Sequence, residues 1–173
     1  ITVVLVLSNC VGFSDAFEGH KKGKGRAEQS ILYRNLGGNR FEDVSAKLGL
    51  VDESWSGDAA PFDYDGDGWI DLYVLSMQGH DEIYRNVEGR SFEKVSRKIF
   101  PKTPWGAMGI QVFDFDNDGQ QDVFVTDMHS DMSQGVLPGK EKEKADIQWD
   151  EEMLQSGGES IFGNAFYRAT VNG

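Results

Sequence analysis

Alternating hydrophobic and polar residues predict a series of short β-strands. In residues 121–127, Val123 and Val125 point to one side of the chain and Phe124 and Thr126 to the other, which is the two-residue period of a strand. The 21 glycines are typical of many tight turns between such short elements. No apolar run is long enough to span a membrane. The pattern therefore favours an all-β protein.

The chain repeats itself at an offset of 51 residues. Residues 31–45 align without a gap with residues 82–96, and the aspartate-rich stretch that begins at Asp63 returns at Asp114. A third copy of the tyrosine segment begins at Asn164. Because two separate features share one spacing, we infer a structural repeat.

Each repeat is predicted to contain four strands. Strand one is seen in residues 105–116, strand two in 121–127, strand three in 82–87 and strand four in 91–96. The link at residues 88–90, between strands three and four, has the length of a hairpin turn. Four-stranded units of about fifty residues are typical of the blades of a β-propeller. A solenoid stack of antiparallel units is the main alternative.

The repeats account for about three blades, two of them partial. Because propellers contain roughly four to eight blades, we expect this set to be incomplete. Residues 1–48 would form a partial blade, 49–99 a blade, and 100–173 a partial blade with an insertion at 128–160. The chain would then be part of a longer protein. The remainder of that chain, or neighbouring subunits, would close the propeller.

Two aspartate-rich loops are the clearest candidates for chemistry. Each has carboxylates at positions 1, 3, 5 and 9 and a glycine at position 6, where Gly68 would supply the positive φ of a sharp turn. Carboxylates this close repel one another unless a cation lies among them. Hard oxygen ligands favour calcium over zinc or copper, with magnesium a minor alternative. We predict two calcium sites with the metal ligands Asp63, Asp65, Asp67, Trp69 and Asp71, and Asp114, Asp116, Asp118, Gln120 and Asp122, in which Trp69 and Gln120 use their main-chain carbonyls.

The loops share their first six positions with the EF-hand. An EF-hand, however, needs a bidentate glutamate at position 12 and flanking helices. Position 12 is Val74 in one loop and Val125 in the other, and both lie in predicted strands. The sequence therefore excludes an EF-hand and the calcium sensor that it would indicate.

The acidic composition agrees with a cation-binding protein. Asp and Glu number 29 against 17 Lys and Arg, a formal charge of −12, which argues against nucleic acid and anionic membranes as partners. Since no apolar run is long enough to span a bilayer, we also expect no direct membrane insertion. The single cysteine, Cys10, cannot form an internal disulfide and so gives no information on the compartment.

Two long connections between strands two and three are candidates for recognition, because function in repeat proteins tends to lie in insertions. The first, residues 9–30, has a basic cluster that suits either a solvated loop or an acidic partner. In the second, 128–160, residues 140–155 are predicted to form an exposed helix, and His129 suggests catalysis or a further metal, although lone histidines in polar loops usually do neither. The basic cluster consists of Lys21, Lys22, Lys24 and Arg26.

The loops and their flanking segments resemble the FG-GAP or VCBS repeats of calcium-binding β-propellers, as in integrin α-subunits. The flanking segments are residues 56–62 and 106–113. More narrowly, "YRN" at Tyr33 and Tyr84 and "FEDVS" at Phe41 are similar to the cartilage-acidic-protein group. The resemblance implies a seven-bladed propeller that is extracellular, periplasmic or on the cell surface, with calcium bracing the first hairpin of a blade. The third copy departs from the pattern with "YRA", and the first copy lacks its loop.

We expect a non-catalytic binding or adhesion module for a protein or carbohydrate ligand. The sequence contains neither Gly-x-Ser-x-Gly nor His-Glu-x-x-His, so no catalytic residue is assigned. Two alternatives stay open: a propeller-based polysaccharide lyase or hydrolase, and a purely structural part of a surface assembly. For the enzyme, an acid pair would come from Asp127, Asp131, Asp150, Glu151 and Glu152.

Overall fold

The structure is a computed structural model that describes residues 3–6, 29–52, 54, 56–77, 79–128, 160–161 and 163–170, with the backbone alone for 3–6 and 160. The described strands are β1 (Val3–Val6), β2 (Ile31–Gly37), β3 (Arg40–Asp43), β4 (Ser56–Phe62), β5 (Asp71–Ser76), β6 (Glu82–Val87), β7 (Ser91–Lys94), β8 (Thr103–Pro104), β9 (Ala107–Phe113), β10 (Asp122–Asp127), β11 (Ser160–Ile161) and β12 (Ala165–Tyr167). The described helices are single turns, α1 (Ser45–Leu48) and α2 (Ser96–Ile99).

Three antiparallel sheets follow one another along the chain. The first sheet has the order β1-β2-β3, the second β4-β5-β6-β7 and the third β9-β10-β12. β8 and β11 form a separate two-stranded parallel pair. The prediction of an all-β protein built from antiparallel sheets is therefore confirmed.

The strand registers confirm the structural repeat. In the second sheet Tyr84 pairs with Lys94, and in the first sheet Tyr33 pairs with Asp43, each residue lying 51 positions earlier. The first two strands of the second and third sheets also share one register at that spacing. The gapless alignment of the sequence thus reflects equal backbone pairing.

Strand three of the repeat was predicted with its correct bounds, but the prediction for strand four was too long. β7 ends at Lys94, and Ser96 begins α2 instead of continuing the strand. The Ser96 hydroxyl accepts a hydrogen bond from the Ile83 N–H at 2.9 Å and donates one to Glu82. Side-chain bonds of serine to nearby backbone compete with the sheet ladder, which explains the early end. Strand one is also shorter than predicted, because β9 covers only Ala107–Phe113.

The second sheet is buried on both faces. Tyr73 and Leu75 belong to a core cluster shared with the third sheet, whereas Val74 belongs to a cluster shared with the first. Val123 and Val125 lie together in the first of these clusters, as the two-residue period predicted. Full burial of such a side chain stabilises the fold by about 1.5–3 kcal/mol. Sheet-on-sheet packing therefore holds the repeats together.

No sheet in the described part of the chain closes on itself. The propeller arrangement, the number of blades and the bounds of the three units therefore stay predictions. Cys10, the basic cluster, the helix at 140–155 and His129 lie outside the described residues. Neither described helix is long and apolar enough to cross a membrane.

Candidate metal centres

The two aspartate loops join the first and second strands of consecutive sheets. The first loop (residues 63–71) connects β4 to β5, and the second loop (residues 114–122) connects β9 to β10. The Asp63 N–H donates a hydrogen bond to the Gln121 side-chain oxygen at 3.0 Å. The two loops are therefore direct neighbours, in the same topological place.

The loops share one backbone conformation. Gly68 and Gly119 have φ of 85° and 86°, so the positive φ predicted from the glycine is confirmed. A second positive φ occurs two residues earlier, at Gly66 (70°) and Asn117 (60°). Asparagine tolerates this conformation better than most residues, which is why the two loops can differ there.

Three of the aspartates in each loop converge. In the first loop, Asp63, Asp65 and Asp71 each place one carboxylate oxygen within 4.8 Å of the others. These side chains come from positions 1, 3 and 9 of the motif, so the turn brings together residues that an extended chain would separate. The second loop forms the same cluster from Asp114, Asp116 and Asp122.

Asp71 ties the first loop to the third strand of its sheet. One of its oxygens accepts the Tyr64 N–H at 3.1 Å and the other accepts the Asn86 N–H at 2.7 Å. The side chain is fully buried, and this burial raises the pKa of the Asp71 carboxyl although both N–H groups act to lower it. A cation beside the carboxylate would offset the cost of burying its charge.

Asp122 has the same role in the second loop. It accepts the Phe115 N–H at 3.0 Å and the Ala169 N–H at 2.8 Å. Ala169 is the residue at which the third copy reads "YRA" instead of "YRN". Because the contact uses the backbone N–H, this departure from the motif leaves the bond intact.

Asp63 has an unused oxygen that suits a metal ion. Its Oδ2 accepts the Gly68 N–H at 2.9 Å, whereas its Oδ1 is buried and has no hydrogen-bond partner. A buried acceptor without a partner costs about 1–3 kcal/mol, and more when it is charged. A hard cation bound to this oxygen would remove that cost, so the donor set fits calcium.

Asp67 and Asp118, at position 5, lie outside the three-carboxylate clusters. Asp67 accepts the Trp69 N–H at 2.9 Å, and Asp118 accepts the Gln120 N–H at 2.8 Å. The assignment of these two aspartates as ligands, and of the Trp69 and Gln120 carbonyls, stays a prediction.

Two arginines that the sequence analysis missed pair with the loops. Arg85 on β6 donates through Nε to Asp65 at 2.8 Å and through Nη2 to Asp67 at 3.1 Å. Arg168, just after β12, donates to Asp116 at 2.6 Å. The bond to Asp65 is the main cause that raises the pKa of Arg85. The signal was present in the sequence, since an arginine follows the tyrosine in every copy of the third strand.

Trp69, a residue of the first loop, lines an apolar cavity of about 620 Å³. The cavity is bordered by the first and second sheets, with Leu32 and Phe92 among its walls. The indole ring packs against the β6–β7 turn so closely that a Cβ on Gly89 would lie 2.8 Å from it. Trp69 is thus placed to report spectroscopically on changes in the first loop.

The acidic residues considered for catalysis do not form a described pair. Asp127 accepts the Gly106 N–H at 2.7 Å and is buried, which gives it a structural contact. Asp131, Asp150, Glu151 and Glu152 lie outside the described residues.

Comparison with known proteins agrees with the repeat. The model of the FG-GAP-like repeat family matches residues 63–125. The match starts at the first aspartate of the first loop and ends in β10, so it includes both aspartate loops and the strands between them. None of the curated proteins compared with the chain matches it. The closer likeness to integrin α-subunits or cartilage acidic proteins stays a prediction. The chain contains an FG-GAP-like repeat at residues 63–125.

Proposed function

We propose that this protein is a calcium-stabilised β-propeller, in whole or in part, that serves as an extracellular binding or adhesion module. The carrying observation is the pair of equal three-carboxylate clusters in consecutive sheets, both within the FG-GAP-like repeat. FG-GAP repeats are commonly extracellular binding or adhesion modules. The expected ligand is a protein or a carbohydrate.

Calcium has a structural role in this proposal. The ion would be held by Asp63, Asp65 and Asp71 in the first loop and by the equivalent carboxylates in the second. Because Asp71 also bonds to the third strand, an ion at the loop would fix the first hairpin against the rest of its sheet. Binding to the folded form alone adds directly to folding stability.

The propeller arrangement is supported by the way in which the sheets repeat. Three sheets have equal registers, and the second packs against a neighbour on each face. The tyrosines of the third strand also repeat their contacts. Tyr84 donates to the Val51 carbonyl, and Tyr167 donates to the carbonyl of Lys102, the residue 51 positions after Val51. Equal units with equal interfaces are what blades round an axis require.

Recognition is assigned to the unequal connections. The link from β5 to β6 spans only residues 77–81, whereas the equivalent links after β1 and β10 are much longer. Long insertions at one topological place emerge on one rim of a repeat protein. We propose that these two segments carry the ligand-binding surface.

Thermal unfolding with and without a calcium chelator tests the metal assignment. Chelation should lower the unfolding midpoint by about 5 °C or more, because the folded form loses its bound ions. Asp65→Ala combined with Asp116→Ala should abolish this difference, whereas Glu42→Gln, which changes an exposed acid on β3, should preserve it. An unchanged midpoint on chelation would contradict the proposal.

Ligand class needs a separate experiment. The full-length protein would be screened on a glycan array, and released sugar would be measured in parallel. Binding without turnover supports the binding module. Turnover of a glycan would replace it by the enzyme, while the lack of any glycan or protein ligand would favour a structural role.

A further inference from the structure

We propose that Arg85 is a built-in counter-ion of the first loop, which competes with an arriving calcium ion for Asp67. This inference rests on the proposed calcium site and adds a residue that sets its affinity. Arg85 would hold the loop in the metal-free state and weaken the affinity of the first loop for calcium.

The guanidinium group bridges two aspartates of the loop. Arg85 donates from Nε to Asp65 and from Nη2 to Asp67, at 2.8 and 3.1 Å. Both bonds end on Oδ2 atoms, so one planar cation binds two carboxylates that would otherwise repel each other. The guanidinium group therefore partly neutralises the same carboxylates that a metal ion would bind.

Asp67 is held away from the cluster of three carboxylates by its own hydrogen bonds. One of its oxygens is bound to Arg85 and the other to the Trp69 N–H, and Asp67 is absent from the three-carboxylate cluster. Position 5 belongs to the ligand set that the motif predicts. Calcium and Arg85 would compete for Asp67, because each brings positive charge to the same carboxylate, and Arg85 can swing into solvent because it is attached by a flexible side chain.

The second loop has a looser arrangement. Among the described residues, Arg168 donates to Asp116 only, and none forms an ion pair with Asp118. The Arg168 guanidinium also lies 5.8 Å from the centre of the Phe115 ring, at the position where the first loop has Tyr64. The face of an aromatic ring attracts a cation, so Phe115 partly stabilises the Arg168 guanidinium away from the carboxylates. Calcium would therefore compete with fewer arginine ion pairs in the second loop.

The direction of the effect follows from electrostatics. A guanidinium and a divalent cation repel each other, but Arg85 is partly exposed and can move into solvent, so we expect the repulsion to change affinity by only about tenfold or less. Arg85 thus favours the empty loop and disfavours the loaded one. Calcium would still bind, since it brings two positive charges to carboxylates that Arg85 neutralises only in part.

The test is calcium titration by calorimetry on the full chain at fixed ionic strength. The first loop is measured in an Asp116→Ala background and the second in an Asp65→Ala background, so that each titration reports one site. Arg85→Gln removes the charge and keeps much of the side-chain length. Arg168→Gln is the matched variant of the second loop. Arg90→Gln is the control for net charge, because Arg90 lies on the nearby β6–β7 turn and pairs with Glu88 instead of the loop.

We expect Arg85→Gln to tighten calcium binding at the first loop by about five- to tenfold. Arg168→Gln should tighten the second loop by about threefold or less, and Arg90→Gln should change the first loop by less than about twofold. Unchanged or weaker binding by Arg85→Gln would overturn the proposal, and so would an equal gain from Arg90→Gln.

A second readout separates a counter-ion from an ordinary structural residue. In chelator, Arg85→Gln should unfold at a lower temperature than the wild type, whereas in saturating calcium the difference should vanish or reverse. A loss of stability that is equal in both conditions would overturn the counter-ion role. If the wild type binds no calcium at the first loop, the proposed function itself fails, and the wild-type titration shows this before any variant is compared.

Discussion

The two aspartate loops have the same backbone but different charge environments. Their positive-φ residues, their three-carboxylate clusters and their bonds to the third strand all coincide at a spacing of 51 residues. They differ in their arginines, because Arg85 bridges two aspartates while Arg168 contacts one. They also differ at position 1, where Asp63 has a buried oxygen without a hydrogen bond and Asp114 accepts bonds at both oxygens.

This difference separates two kinds of residue in a repeat. Residues that hold the loop to its own sheet are duplicated, because both sheets need the same internal bonds. The arginine that neutralises the loop is also repeated, but its contacts vary with its neighbours. Arg168 lies over the Phe115 ring, whereas no cation lies over Tyr64, the equivalent residue of the first loop, among the described residues. The common part explains stability, and the variable part would explain unequal calcium affinities.

The largest effect that tests the comparison is the loss of the buried aspartate at position 9. Asp71→Ala removes the acceptor of two N–H groups, one on the loop and one on the third strand. Unpaired groups of this kind cost about 1–3 kcal/mol each, so the free energy of unfolding should fall by about 4 kcal/mol. Asp122→Ala should cause a similar loss. Both are measured by urea denaturation in chelator.

Asn at the same positions provides the control for these two variants. Asp71→Asn keeps a single acceptor oxygen. Its free energy of unfolding should therefore lie between that of the wild type and that of Asp71→Ala. If Asp122→Ala left stability unchanged while Asp71→Ala reduced it strongly, the two loops would not be equivalent in their attachment to the sheet.

Asp81, a buried carboxyl outside both loops, should make the stability of the whole protein depend on pH. This dependence would obscure any effect of pH on the two loops. Burial raises the pKa of Asp81 to about 7, with Asp127 and Glu82 adding to the shift. Tyr73 donates to this carboxyl at 2.9 Å and the Ser76 N–H at 2.8 Å, and both bonds act to lower the pKa. Because the folded state keeps this proton and the unfolded state loses it near its ordinary pKa of 3.8, stability should fall as pH rises from about 4 to about 7.

The corresponding variant is Asp81→Asn. At about 1.4 kcal/mol per pKa unit, the wild type should lose up to about 4 kcal/mol of unfolding free energy over this range, and Asp81→Asn should lose much less. The variant should match the wild type near pH 4 and exceed it at pH 8. Parallel pH profiles for the two proteins would show that Asp81 is ionised in the folded state. A flattened profile would make Asp81→Asn the proper background in which to compare the loops at different pH.

Much of this arrangement is local and could be predicted from the sequence. The period of two placed Val123 and Val125 in the core, and the motif placed a positive φ at Gly68, because both depend on neighbours along the chain. The recurrence of the arginine is visible in the sequence, but the contacts of Arg85 depend on how β6 is registered against β5, which no local pattern encodes. The early end of β7 at Lys94 likewise depends on a serine that reaches back to another strand.

The smallest effects test whether the loop backbones are truly interchangeable. Gly68→Ala and Gly119→Ala should each cost about 1 kcal/mol, because φ is near 85° at both and no heavy atom lies within 4 Å of the added Cβ. Strain alone then sets the cost, so the two losses should be equal.

Gly66→Asn transfers the residue of the second loop into the first. Asn117 already adopts φ of 60° there, and Gly66 has φ of 70° with open space around it. The replacement should therefore change the unfolding free energy by less than about 0.5 kcal/mol, whereas Gly66→Val should cost clearly more, since a β-branched residue is strained at positive φ. Urea denaturation of the two variants measures this, and an equal cost for Asn and Val would mean that the two loops reach their common shape by different means.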